Sequence, residues 1–272
     1  MGERESLGGL GLHDHACWRV HGARWFPDAV RPFLSDGLRL GAKCVVVTSG
    51  RADHVLDALG PIGRQVEFWS LDAMYGRDEP VRPTETVAAY DDATSRSIRE
   101  GYTGLRVAAD ISSLVRTDAQ RVAFAEYEVL VDRLMQRAPM SAVCSCGADE
   151  VDAVAAMALA AIHPVRALDT SPFSLRLEHD GTVRLEGEVD RFQREALIAA
   201  LSGVREMVAG GSTTVDVTGL EFVDHRTLLD LDRAAADREH RLVLTGAGQV
   251  LARLVGLIDL RATSVLRVGE RS

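Results

Sequence analysis

His13, His15 and Cys17 occupy alternate positions in HDHACWRV, and Cys144 and Cys146 repeat that spacing in MSAVCSCG. Imidazole nitrogen and thiolate sulfur are donors that borderline-soft metal ions such as zinc accept, and they also serve in ligand pockets and redox pairs. Residues two apart in an extended chain share one face. If the two segments are neighbouring strands, the donors converge; if they are not, the residues are interior packing, a common fate of free cysteine. A second polar corner lies in EFVDHRTLL, Glu221 to Leu229, where an acid and three polar residues separate an apolar run from a leucine pair. That is the pattern of a strand ending at an exposed helix cap.

Other chemistries are poorly served. Lys43 is the chain's one lysine. A phosphate-cradling loop needs Gly-x-x-x-x-Gly-Lys-Ser/Thr between a strand and a helix. Lys43 instead precedes its strand, follows Ala42 and is followed by Cys44, so ATP hydrolysis of that type is not expected. The strand-to-helix turn TSGR leaves Ser49, Gly50 and Arg51 as a candidate anion-binding set. Neither Gly-x-Ser-x-Gly nor His-Glu-x-x-His occurs, so no catalytic residue is assigned and the chain is read as a non-enzyme. Glu126 and Glu128 of AEYE could stand near a pocket, but surface charge is the preferred reading. Trp18, Trp25 and Trp69 are read as core rather than as the wall of a pocket.

The elements that position these residues follow from pattern. A length of 272 residues allows two modest domains. A net charge of −9 argues against a nucleic-acid surface. No apolar run approaches the roughly 20 residues that span a bilayer. Met1 to Leu12 lacks the basic start and apolar core of a secretory signal, so a cytoplasmic location with reduced thiols is expected. The first two thirds alternate strand and helix. Strands are expected at ACWRV, KCVVVTSG, VEFWSL, GLRVAADI and MSAVCSC, and amphipathic helices around Val55–Leu59, Thr84–Glu100 and Arg121–Gln136, as in a parallel α/β sheet. ALDTSP, Ala167 to Pro172, reads as a linker. Beyond it, a hairpin about Asp180-Gly181 leads into helices at Arg191–Ala209, His225–Glu239 and VLARLVGLI, alternating with strands TTVDVTGLEFV, RLVLTG and TSVLRV.

VRLEGEVD, TTVDVTGLEFVDHRTLLDL and RLVLTGAGQVLARLVGLIDL, in that element order, resemble the STAS domain of anti-sigma-factor antagonists. The resemblance implies a corner where a partner kinase phosphorylates a hydroxyl. A phosphate there adds about two negative charges at a helix N-terminus. Here Asp224 is kept, but His225 and Arg226 stand where the family has its hydroxyls and Thr227 where it has glycine. Asp190, Asp224, His225, Arg226 and Thr227 are the expected partner-binding residues, with Thr227 the remaining candidate for phosphorylation and control by other means preferred.

HDHACWRV, FLSDGLRLGAKCVVVTSG, EGYTGLRVAADIS, AEYE, SAVCSC and AIHPV together resemble the MEDS family, sensory domains named partly for a dichloromethane-responsive regulator. That resemblance implies a degenerate RecA-like fold and a sensing site at the His-x-Cys of His15 and Cys17, with Cys144 on a later strand. His15, Cys17, Cys144 and Cys146 are accordingly taken as the ligand-sensing set. A bound metal, a reversible Cys17–Cys144 disulfide and inert packing compete with it; no metal or other cofactor is assigned, because no closely spaced pair fixes one.

The expected protein is thus α/β throughout: a degenerate RecA-like parallel-sheet domain over residues 1–168, then a STAS-like α/β domain over 172–268. The expected function is small-molecule or redox sensing coupled to a STAS effector that binds an anti-sigma factor or similar regulator. No nucleic acid or membrane is expected as partner, and a homodimer is compatible with the sequence without any residue assigned to it. Two rivals are a nucleotide-binding or nucleotide-hydrolysing RecA-like enzyme and an adaptor that senses nothing.

Overall fold

The computed structural model describes residues 2–22, 25–168, 170–205, 211–237, 240–258 and 266–269, with backbone alone at 25, 205 and 266–269. The chain divides into two compact units, Met1–Thr170 and Ser171–Ser272.

The first unit runs β1 (Gly2–Arg4), β2 (His15–Val20), α1 (Trp25–Arg39), β3 (Lys43–Thr48), α2 (Ala52–Ala58), β4 (Glu67–Ser70), α3 (Leu71–Tyr75), α4 (Pro83–Arg99), β5 (Leu105–Asp110), α5 (Asp118–Arg137), β6 (Met140–Gly147), α6 (Ala153–Ile162) and β7 (Val165–Ala167). Its seven strands form one sheet in the order β1-β7-β2-β6-β5-β3-β4, every pair parallel. Helices cover both faces of such a sheet, so its central strands are buried on both sides: Val45, Val46 and Val47 of β3 are buried, as is the whole of β6.

The expected strands and helices of this unit are present with shifted ends. A capping box between Thr117 and Gln120 starts α5 at Asp118, ahead of the Arg121 expected from periodicity. The sequence reading names no helix over residues 153–162, because AVAAMALAAI is apolar on nearly every side and has no amphipathic period. The Asp152 side chain caps it by accepting the Ala155 N–H at 2.8 Å. The short strands β1 and β7 were likewise invisible to pattern, being three residues each.

Arg106 shows how tightly α1 sits on the sheet. Lying in β5, it is fully buried, donates to the carbonyls of Phe33 (2.9 Å) and Leu10, and stacks its guanidinium 4.7 Å from the Phe33 ring centre. Gly37 of α1 lies directly above: a β-carbon there would come within 2.5 Å of Arg106 Cδ and 2.7 Å of Cys44 Sγ. Gly→Ala inside a helix ordinarily gains up to about 1 kcal/mol. Gly37→Ala is expected to do the opposite, lowering stability by about 1–3 kcal/mol through overpacking, as urea unfolding would register.

The second unit runs β8 (Phe173–Leu177), β9 (Val183–Val189), α7 (Arg194–Arg205), β10 (Ser212–Asp216), β11 (Leu220–Val223), α8 (His225–Ala236), β12 (Arg241–Thr245), α9 (Gln249–Leu257) and β13 (Leu266–Gly269). The hairpin β8–β9 is antiparallel, and Gly181 in its loop takes φ +85°, a left-handed conformation that favours glycine. On the other edge of β9, β10 and β11 pair in parallel with successive stretches, followed outward by β12 and β13. The single strand expected over TTVDVTGLEFV is broken because the Asp216 carboxylate accepts the Thr218 N–H at 2.9 Å and turns the chain. Residues 206–209, 238–239 and 263–265, expected to extend α7, α8 and the last strand, lie outside the described residues.

Candidate functional site

Strands β2 and β6 are parallel neighbours, with Cys17 opposite Cys144 and Arg19 opposite Cys146. His15 and Cys17 therefore share a sheet face with Cys144 and Cys146. Helix α5 packs on that face through a stripe of Phe124, Tyr127, Glu128, Val131, Leu134 and Met135, all buried. Glu128 holds one of the core positions of this stripe. Its side chain is 1% exposed, which corrects the reading of Glu128 as surface charge; Glu126, off the stripe, is half-buried. The reason is helical phase: positions 124, 128 and 131 align on one side of a helix of 3.6 residues per turn.

Glu128 gathers a cluster about itself. Its Oε2 lies 2.7 Å from His15 Nε2 and 3.1 Å from His163 Nε2, and its Oε1 accepts from Cys144 Sγ at 3.1 Å. Cys144 Sγ is also 3.8 Å from His15 Nε2. The His15 and His163 ring centres are 4.3 Å apart. On its far side His15 turns Nδ1 toward Asp132 at 3.4 Å, one helical turn beyond Glu128. His163, at the C-terminal cap of α6, meets the Leu159 carbonyl through Nδ1 at 2.7 Å. A carbonyl only accepts, so Nδ1 carries the proton and Nε2 faces the carboxylate.

Burial works to lower the pKa of His15, but the charges and hydrogen bonds of Glu128 and Asp132 outweigh it and raise it to about 9. Burial also pushes Glu128 upward, yet the two histidines hold its carboxyl well below the usual range. Cys144 is driven well above the ordinary thiol value by burial first and the Glu128 charge second, Cys17 by burial, then Cys146, then Glu128, and burial takes Cys146 to about 12. All three are thiols at neutral pH, a form that reacts slowly with oxidants. Next to the cluster, the buried hydroxyl of Tyr75 meets those of Tyr90 at 2.9 Å and Tyr127 at 3.1 Å.

His15 and Cys144 thus meet directly, Cys17 lies near enough to feel the Glu128 charge, and Cys146 stands opposite Arg19. His13 is exposed and meets the Met135 carbonyl at 2.5 Å, away from the cluster. Sequence reasoning missed Glu128, Asp132 and His163. The available signals were an acid in the apolar stripe of α5 and a lone histidine between an apolar helix and a proline. The site lies under α5 and α6 and not at the carboxyl ends of the strands, where open α/β sheets usually bind ligands.

Ser49 and Gly50 do line a cleft at such strand ends, but Asp57, Asp110 and Glu150 line it too. The Gly50 N–H is taken by Thr48 Oγ1 at 3.1 Å, and Arg51 is paired with Asp53 at 2.7 Å. Lys43 sits at the opposite end of β3, paired with Glu100 at 2.7 Å and Glu67 at 3.0 Å. Trp18 is buried in the core and Trp69 bonds Glu67, while the Trp25 side chain lies outside the described residues.

In the second unit, Val189 pairs with Val223, so Asp190 and Asp224 leave adjacent strand ends at one corner. Asp224 caps α8 by accepting the Thr227 N–H at 2.7 Å. Burial raises this carboxyl, but the N–H groups of Thr227 and Arg226 outweigh it and leave it lower than usual. His225 and Arg226 are exposed, whereas Thr227 is fully buried with its hydroxyl enclosed, so a kinase would have to open the first turn of α8 to reach it. Around the corner, Phe192, Phe222 and Val250 are exposed apolar residues that polarity-based reading passed over.

Among the described residues no helix is long and apolar enough to cross a membrane. No curated protein matches the chain. A family model described as MEDS, the methanogen/methylotroph, DcmR sensory domain, matches residues 14–164, and a model described as Mlab, STAS domain matches residues 175–267. The first match takes in more than half the chain and spans the strands and helices that build the buried cluster. The chain belongs to the MEDS family and carries a STAS domain behind its sensory domain.

Proposed function

We propose that this is a non-catalytic signalling regulator in which the N-terminal domain detects a chemical cue at the His15–Glu128–Cys144–His163 cluster. The STAS domain then engages a regulatory protein, an anti-sigma factor or one of similar kind, through the Asp190–Asp224 corner. The observation that supports this most is the burial together of two histidines, a carboxylate and a thiol in one α/β domain, with side chains at most 4% exposed. Buried polar groups are costly unless they serve one another or a ligand. The protonated, enclosed thiols favour ligand binding over oxidation as the cue. The acidic cleft beside Ser49 is ill suited to a phosphate chain, and Lys43 is far along β3 from it, which weighs against nucleotide turnover.

For the effector, Phe222, half exposed beside the corner, is the aromatic residue best placed to anchor a partner. Phe222→Asp is expected to weaken binding of a purified anti-sigma factor by about 10-fold or more, measured by calorimetry, with the fold intact by circular dichroism. Equal binding by Phe222→Asp and the unmodified chain would remove this corner from the interface. For the sensor, the full chain purified gently is expected to carry a mass in native mass spectrometry that Cys144→Ser sheds. A bare mass, together with partner binding unaltered by Cys144→Ser, would leave an adaptor that senses nothing.

A further inference from the structure

We infer that His15, Glu128, Cys144 and His163 form a binding site for a single divalent transition-metal ion, with zinc the best match. The inference rests on the sensory reading of this cluster and names what it holds.

Each of the four residues offers one donor atom, and these atoms all lie within 4.8 Å of one another. Donors about 2.0–2.3 Å from a tetrahedral zinc stand roughly 3.3–3.8 Å apart. The Cys144 Sγ–His15 Nε2 and His163 Nε2–Glu128 Oε2 separations of 3.8 and 3.1 Å are close to that spacing, and His15 Nε2, 2.7 Å from the same oxygen, would move outward as an ion entered. Two imidazoles, a carboxylate and a thiolate are a donor set that suits zinc better than magnesium or calcium, which prefer oxygen alone.

A second and independent observation is the way the atoms face each other. Glu128 Oε2 and His163 Nε2 are both buried and make no aligned hydrogen bond, although they approach to 3.1 Å. With Nδ1 of His163 turned to the Leu159 carbonyl, its Nε2 is the nitrogen left facing the carboxylate. A metal ion placed among these buried atoms would engage every donor at once.

The surroundings are those of ligating groups. The far nitrogen of each histidine is oriented from outside, His163 by Leu159 O and His15 by Asp132 Oδ1, the arrangement that fixes ring tautomer and basicity in metal sites. Charge balances as well. On binding, Cys144 gives its S–H proton, and His15 its Nε2 proton, to solvent; the thiolate and the Glu128 carboxylate then cancel the two charges of the ion. A neutral centre avoids the heavy cost of an unpaired buried charge. Four protein donors leave no open position, which suits a structural or sensing site and not hydrolysis.

Cobalt(II) replaces zinc and reports its ligands by colour, so the test uses the full chain, stripped with chelator and titrated with cobalt chloride alone. One equivalent is expected to give tetrahedral d–d bands and a near-ultraviolet sulfur-to-cobalt charge-transfer band, both removed by stoichiometric zinc. Cys144→Ser should lose the charge-transfer band and weaken zinc binding by about 100-fold or more, since even loss of an outer-shell partner costs 10–100-fold. Cys44→Ser, on another strand, should keep both. Glu128→Gln, which preserves shape, provides a second variant if Cys144→Ser misfolds. A folded chain that gives no tetrahedral spectrum, or one whose charge-transfer band survives in Cys144→Ser, overturns the site. Stoichiometric cobalt binding with partner affinity unchanged by metal upholds the site and defeats the sensory reading.

Discussion

Glu128→Leu is expected to destabilise the sensory domain by about 3–5 kcal/mol, the range for breaking a buried ion pair and leaving its partners uncompensated. The leucine fits the apolar stripe of α5, so helix and volume are conserved; what is lost is the group that answers His15, His163 and Cys144 together. All three tryptophans, Trp18, Trp25 and Trp69, lie in the first unit, so intrinsic fluorescence during urea unfolding reads this domain selectively. A pH series in chelator-treated protein separates charge from packing. His15 is raised from 6.5 to about 9, so its contribution is complete below about 6.5 and lost as pH rises through 9. Glu128 is lowered from 4.5, so its contribution is present above that value and lost as acid takes the pH beneath it. Unmodified protein should therefore lose stability between pH 6.5 and 9, and Glu128→Leu should lose far less over the same interval. Equal slopes would mean that the variant acts through packing alone.

The second large effect is expected at Arg106. Arg106→Ala should cost about 3–5 kcal/mol, combining a cavity beneath α1 with carbonyl acceptors left unanswered in the interior. The arginine reaches Phe33 and Leu10 through different nitrogens of one planar fork. Lysine, a point charge on a flexible stem, cannot hold both, so Arg106→Lys should recover only a minor part. The measurement is again tryptophan fluorescence in urea, and Gly37→Ala should combine with Arg106→Ala less than additively, because the first substitution clashes with the side chain that the second removes. Full additivity would show that the close approach of Gly37 to Arg106 is not what limits that position.

Much of this fold could be read before any coordinates. The alternation of KCVVVTSG, GLRVAADI and MSAVCSC with amphipathic helices led to a parallel sheet, and the Asp180-Gly181 turn led to the β8–β9 hairpin. The adjacency of β2 and β6 was a condition that only strand order could meet, and it brought His15 and Cys144 together. What escaped has a common cause. Glu128 and Arg106 are charged residues at core positions, and a polarity rule sends such residues to the surface. Their periodicity said otherwise: Glu128 is in phase with Phe124 and Val131, and Arg106 sits between Leu105 and Val107 in a buried strand. His163 escaped because its helix, apolar all round, offered no period at all.

His163 also stands at the end of the sensory domain. Two residues later β7 begins, a strand of three residues pinned between β1 and β2, and Thr170 closes the unit soon after. The backbone that carries the imidazole is thus almost the last piece of the domain before the chain crosses into the STAS domain. The imidazole is therefore anchored two residues ahead of the strand by which the chain leaves the domain, so the same short stretch of backbone serves both the cluster and the exit.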